Sequence, residues 1–165
     1  TLDYSPGFQF GHPLSFELAN KIVELTPDGL EHVFFTDSGS ETIDTALKMA
    51  RGYWRSKGQP GKSKFIGRMK GYHGVNFGGL GVGGIGFNRK LFGQSVDADH
   101  ISHTLLNENS FSKVMPVHGA LLADEVEELV LLHDASNIAA VIVEPLSGTA
   151  ALLPAPEGYL SRLRV

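Results

Sequence analysis

The sequence predicts an α/β fold: a mostly parallel sheet with flanking helices. Two observations carry this. Short β-prone runs alternate with amphipathic helical runs, the pattern of βα units. The run 138–143 (Ile-Ala-Ala-Val-Ile-Val) is continuously apolar, as a strand covered on both faces is.

Residues 1–12 are rich in Gly, Pro and aromatics (Tyr4, Pro6, Gly7, Phe8, Phe10, Gly11) and read as an irregular segment. Pro13 suits a first helical position. Leu14, Leu18, Ile22 and Leu25 follow at helical spacing, and Pro27 with Gly29 ends the run. Residues 32–36 (His-Val-Phe-Phe-Thr) form a β-prone run, expected as a buried strand. The next helix carries Ile43, Ala46, Leu47, Ala50 and Trp54 on one face, and the glycines at 58 and 61 close it. Its basic end, Lys48, Arg51, Arg55 and Lys57, reads as a solvated face complementing the helix dipole. Residues 64–68 form a weaker strand, and 71–86 are dense in Gly. Residues 87–120 lack periodicity and read as a long surface loop region, more often functional or interfacial than idle. Residues 123–133 read as a helix with Val126, Leu129 and Val130 facing inward. Glu144-Pro145 stops the apolar strand, and Pro156, Gly158 and Tyr159 precede another helix start.

The chain has 165 residues, one domain's worth by length. Hydrophobic residues at 42% and charged residues at 19% exclude wholesale disorder. A net charge of -4 offers no basic surplus for nucleic acid. No apolar run approaches the roughly 20 residues of a membrane helix, and no polybasic block suits an anionic membrane. Cysteine is absent, which excludes a disulfide framework and thiolate metal sites and fits a reducing cytoplasm. The chain starts at Thr1 without Met and stops at Val165 inside what reads as a starting helix, so a piece of a longer protein is expected.

Three segments carry candidate chemistry. Asp37 to Glu41 (Asp-Ser-Gly-Ser-Glu) joins an expected strand to a helix. The unpaired amides of a first helical turn, its dipole and the Ser38 and Ser40 hydroxyls suit a phosphate. The same residues also fit a capping box, Ser38-x-x-Glu41, needing no ligand. Gly71-Tyr72-His73-Gly74 follows a strand; Tyr72 is able to lie flat on a planar heterocycle and His73 to donate a hydrogen bond or titrate near neutrality. The alternative is a solvent-facing turn. Glu144 ends the best strand, where ligands sit in parallel sheets, or is simply a turn acid.

Two further patterns fail in context. Gly81 to Gly86 fits G-x-G-x-x-G but lacks a strong strand before it and an apolar helix after it. Asp97, Asp99, His100 and His103 crowd one segment without ligand spacing, so no metal is expected.

The order of these segments resembles class III pyridoxal-phosphate aminotransferases. The stretches Gly11-His12-Pro13, 33–41 (Val-Phe-Phe-Thr-Asp-Ser-Gly-Ser-Glu), 46–51 (Ala-Leu-Lys-Met-Ala-Arg), Gly71-Tyr72-His73-Gly74 and 141–145 (Val-Ile-Val-Glu-Pro) carry the likeness, which is strongest to the ω-amino acid–pyruvate (β-alanine–pyruvate) transaminases. The resemblance implies part of a fold-type-I large domain, residues 1–165 being a single fragment of its cofactor-binding portion, and a homo-oligomer, a dimer in this family. It implies pyridoxal 5'-phosphate, with Ser38, Gly39 and Ser40 cradling the phosphate, Tyr72 stacking on the ring with His73 beside it, and Glu144 near the ring face. It implies an amine and a keto acid as small-molecule partners, and a substrate-channel role for Phe8 and Phe10 toward the partner subunit.

None of the eight Lys (Lys21, Lys48, Lys57, Lys62, Lys64, Lys70, Lys90, Lys113) matches the family's catalytic position, so no catalytic residue is assigned. The chain alone is expected to be inactive. The alternative is a truncated non-catalytic α/β module, at most a weak phosphate or pyridoxal-phosphate binder. Ala151 also stands where relatives often carry Gly.

Overall fold

A computed structural model describes residues 4, 7, 8, 10–107, 110–149 and 152–165; Ala151 lies outside them. The chain divides into two compact units, Thr1–Thr36 and Asp37–Val165.

The first unit holds helix α1, Pro13–Val23. Pro13 opens it, and the His12 ring accepts from the Leu14 amide through Nδ1 at 3.2 Å. No residue of α1 is buried. Residues 32–36 are not a strand, contrary to the sequence expectation. They pair with none of the described strands, and β-prone side chains do not make a strand without a ladder partner.

The second unit is built on a three-stranded sheet of β1 (Lys64–Arg68), β2 (Ala98–Ile101) and β3 (Ile138–Val141), in the order β2-β1-β3 with both pairs parallel. The expected parallel α/β architecture is thus present. β1, the weaker-looking strand, is central: Phe65, Ile66, Gly67 and Arg68 are all buried. Alternation along β1 divides the core. Phe65 packs with Leu47, Val82, Ala98 and Ala139 on one face, and Ile43, Ala50 and Trp54 of helix α2 (Gly39–Ser56) close over them. Ala46 of α2 is exposed. Ile66 packs with Ile101, Ala123 and Tyr159 on the other face, covered by α5 (Gly119–Ala123), α6 (Glu125–His133) and α7 (Tyr159–Arg164).

β3 is less covered than its sequence suggests, with Val141 exposed. The register shifts at its start, Lys64 facing Ile138 and Phe65 facing Ala140. Trp54 Nε1 donates to the Ala139 carbonyl at 2.7 Å, satisfying a main-chain acceptor at the shift. Arg51 is not merely solvated: its Nε and Nη2 both reach the Ser63 carbonyl, at 3.1 and 3.0 Å, just before β1.

Residues 87–120 are not one long loop. They include most of α4 (Gly86–Phe92) and all of β2. Ala98 and Ile101 face the core, while Asp99 and His100 disguise the strand. Asp97 and Asp99 reach Lys64 at 2.6 and 3.5 Å, and His133 pairs with Asp99. His100 Nε2 lies 3.0 and 2.9 Å from the Val82 and Gly83 carbonyls at the end of α3 (Phe77–Val82). Gly67 lets α3 approach β1; a side chain there would strike the Val82 carbonyl oxygen. A short hairpin of β4 (Leu146–Ser147) and β5 (Leu153–Pro154) follows β3. Among the described residues, no helix is long and apolar enough to cross a membrane.

Candidate functional site

The three sequence-selected segments meet at the carboxyl end of β1. Helix α2 begins at Gly39 behind Ser38, whose Oγ accepts from the Glu41 amide at 3.2 Å. Glu41 Oε2 accepts from the Asp37 amide at 3.2 Å, so a capping arrangement is present. It does not consume the helix start. The Gly39 and Ser40 amides find no acceptor among the described residues. A side chain at Gly39 would meet nothing within 4 Å. Two open amides at the positive end of an 18-residue helix are the donor set an anionic phosphate takes.

The loop 71–76 lies against this helix start. Ser40 Oγ accepts from the Val75 amide at 3.0 Å. Gly74 has φ of +91°, and a side chain there would stand 2.6 Å from Ser40 Oγ, so only glycine allows the approach. On its other flank, the loop is held by Glu144 Oε2, which accepts from the Tyr72 amide at 3.3 Å. His73 Nε2 and Glu144 Oε2 lie 3.4 and 3.7 Å from the point where a Gly71 side chain would begin.

Within the loop, Tyr72 and His73 differ. Tyr72 is 41% exposed, leaving its ring accessible for stacking. His73 is buried at 5% exposure, and its Nε2 has no hydrogen-bond partner among the described residues. Burial pushes the His73 imidazole below its ordinary 6.5; Arg68 and His100 act in the same direction, and Glu144 opposes them. His73 is therefore neutral at pH 7. The loop is neither a plain solvent-facing turn nor a wholly buried one.

The helix-start amides without acceptors, the exposed Tyr72 and the buried, unpartnered His73 nitrogen have the donor chemistry that pyridoxal phosphate takes. Phe8 and Phe10 are both exposed and belong to the first unit. Gly81 and Val82 close α3, so the Gly-rich run has no strand–loop–helix context. Among the described residues, no three His, Asp or Glu side chains group as for a metal.

Sequence reading missed Arg68 and Ser147. Arg68 is 1% exposed and donates through Nη2 to the Glu144 carbonyl at 2.8 Å and to Ser147 Oγ at 2.5 Å. A signal was available: period-two alternation puts Arg68 on the core-facing side shared with Ile66.

The model of the class-III aminotransferase family matches residues 7–165. The chain belongs to the class-III aminotransferase family. Among curated members, the ω-amino acid–pyruvate aminotransferase of Pseudomonas putida is 64% identical over 99% of this chain, and the β-alanine–pyruvate aminotransferase of Pseudomonas aeruginosa is 63% identical over 99%. The chain spans 37% of the length of each. Of solved aminotransferase structures, a transaminase from the marine bacterium Virgibacillus superimposes with a TM-score of 0.86 at 32% identity, over 98% of this chain and 34% of that one. An amine transaminase from an uncultivated Pseudomonas species, solved with PLP bound, gives 0.84 at 34% identity, over 98% and 37%. The ω-transaminase of Pseudomonas jessenii, solved with PMP, gives 0.85 at 32%, over 98% and 36%. The family is pyridoxal-phosphate dependent, and the solved transaminases named above contain the fold described here.

Proposed function

We propose that this chain forms the phosphate-holding and ring-stacking part of a pyridoxal-phosphate aminotransferase that exchanges an amino group between an ω-amino acid or amine and pyruvate. The convergence of Ser40, the 71–76 loop and Glu144 at one end of β1 carries this reading. The relatives' names supply the substrate class. Bound there, the cofactor supplies an electron sink for the carbon bearing the amine.

The chain's own residues bind and orient. The Gly39 and Ser40 amides, with the dipole of α2, hold phosphate charge, and the Ser38 and Ser40 hydroxyls flank it. Tyr72 offers its ring face, with the Glu144 carboxylate fixing the main chain from which that ring projects. Neutral His73 presents an unpartnered nitrogen without adding charge. Phe8 and Phe10 are assigned to the substrate channel on family resemblance. The exposed Val75, Phe77, Phe87 and Phe92 around the loop support a homo-oligomer, and the cysteine-free composition supports a cytoplasmic setting.

The full reading frame encoding this chain, purified and supplied with pyridoxal phosphate, β-alanine and pyruvate, is expected to form alanine. Cofactor binding without any amine-dependent pyruvate turnover would overturn the reaction while leaving the binding site standing.

A further inference from the structure

Arg68 occupies a place where the packing asks for an aliphatic residue. It follows Ile66 on the same side of β1, and its guanidinium lies 5.6 Å from the Tyr159 ring centroid. Burying a charge is costly unless bonds offset the loss of water. Both hydrogen bonds that the Arg68 guanidinium makes among the described residues go to one segment, the stretch that carries Glu144. Its Nε and Nη1 have no partner among the described residues, so the site does not serve to satisfy the cation.

Between the β3 ladder and the β4–β5 pairing, the main chain of this segment at 143–145 makes no ladder bond among the described residues. β3 ends at Val141, and the last ladder-like bond runs from the Ile142 amide to the Ile66 carbonyl at 2.8 Å. Pro145 has no N–H to donate. Two residues past the ladder, the Glu144 main chain is fixed by the Arg68 guanidinium. The Glu144 side chain then spans to the Tyr72 amide. We infer that Arg68 is a positioning residue: by bonding the Glu144 carbonyl and Ser147 Oγ, it sets the height of the Glu144 carboxylate under the 71–76 loop, and so the placement of Tyr72. This rests on the cofactor-site reading above.

The test uses the full reading frame encoding this chain, as apoprotein and after titration with pyridoxal phosphate. Amide hydrogen exchange is followed at Tyr72, with Leu47 in α2 as reference. Arg68→Gln is expected to speed Tyr72 exchange, and to weaken cofactor affinity, by about tenfold each while Leu47 is unchanged, as loss of charge-assisted bonds implies. Arg68→Lys keeps a donor and recovers part of both. Ser147→Ala removes one acceptor and gives a smaller change in the same direction. Unchanged Tyr72 exchange in Arg68→Gln, or equal acceleration at Tyr72 and Leu47, overturns the inference. If Arg68→Gln does not fold, Ser147→Ala decides: no selective acceleration at Tyr72 overturns it. A wild-type protein that binds no pyridoxal phosphate sinks the cofactor reading instead, while the exchange measurement still decides the role of Arg68.

Discussion

Glu144 Oε2 accepts the main-chain N–H of Tyr72 at 3.3 Å, joining residues 72 positions apart. The bond ties the end of the third strand to the loop after the first. Glu144→Ala leaves that amide without its acceptor, whereas Glu144→Gln keeps an oxygen in place. In the full-length protein, the Ala variant is expected to bind pyridoxal phosphate about tenfold more weakly, the usual scale of one charge-assisted bond, and the Gln variant to stay nearer wild type. Absorbance titration of apoprotein reads both. Equal affinities for Ala and wild type would remove Glu144 from the site.

Gly39 and Gly74 separate binding from folding. A methyl at Gly39 meets nothing within 4 Å, so Gly39→Ala is expected to change stability by less than about 1 kcal/mol. It places that methyl beside the open amides and should weaken phosphate and cofactor binding. Gly74→Ala combines φ of +91° with a contact at 2.6 Å to Ser40 Oγ, and is expected to cost about 1–3 kcal/mol of stability. Thermal melts and cofactor titrations on both variants check the contrast. A Gly39→Ala protein with unaltered affinity would argue that the phosphate lies elsewhere.

Much of the site was legible because its parts are local. The Ser38-Gly39-Ser40 turn is a helix start whatever surrounds it, and Gly74 announces a position few other residues adopt. The contact between Tyr72 and Glu144 was not legible, since no local rule fixes a pairing between distant loops. The fold shows the same division. α2 was readable from its periodic apolar face. β2 was not, because Asp99 and His100 take partners from neighbouring elements, Lys64 with His133 and the α3 carbonyls, and so look like loop residues. β1 looked weak because Lys64 and Arg68 flank it, yet both charges are engaged at its ends. Residues 32–36 have strand composition and no ladder, because a strand is a property of a pair.

Acid should loosen the loop region. Burial holds His73, His100 and His103 below their ordinary 6.5. The unfolded chain therefore takes up protons first as pH falls. The stability owed to these neutral rings is complete above 6.5 and is lost as pH drops through 6.5 toward the lower folded values. Around His73, Arg68 and His100 reinforce the effect and Glu144 opposes it. Melting temperature is expected to fall between pH 7.5 and 5, with a shallower slope in His73→Phe. A slope that is identical in the variant would assign the acid sensitivity to other groups.

The lysines give the sharpest prediction for the 165-residue chain on its own. Lys62 Nζ is bonded to the Ala135 carbonyl at 2.6 Å and lies 4.3 Å from the Trp54 ring centroid. Lys64 is paired with Asp97, which raises its pKa and keeps its amine protonated. Covalent capture of an aldehyde needs a neutral, free amine; Lys64 is held protonated and Lys62 Nζ is engaged by the Ala135 carbonyl, so both should react slowly. None of the other lysines makes a described contact with Ser40, Tyr72 or Glu144. Incubation with pyridoxal phosphate followed by borohydride reduction and peptide mass analysis is therefore expected to give scattered, substoichiometric labels on exposed lysines, with Lys62 and Lys64 least. One lysine labelled to completion, with the label displaced by an amine substrate, would show instead that this stretch anchors the coenzyme unaided, and would turn the candidate site from a cradle into a complete active centre.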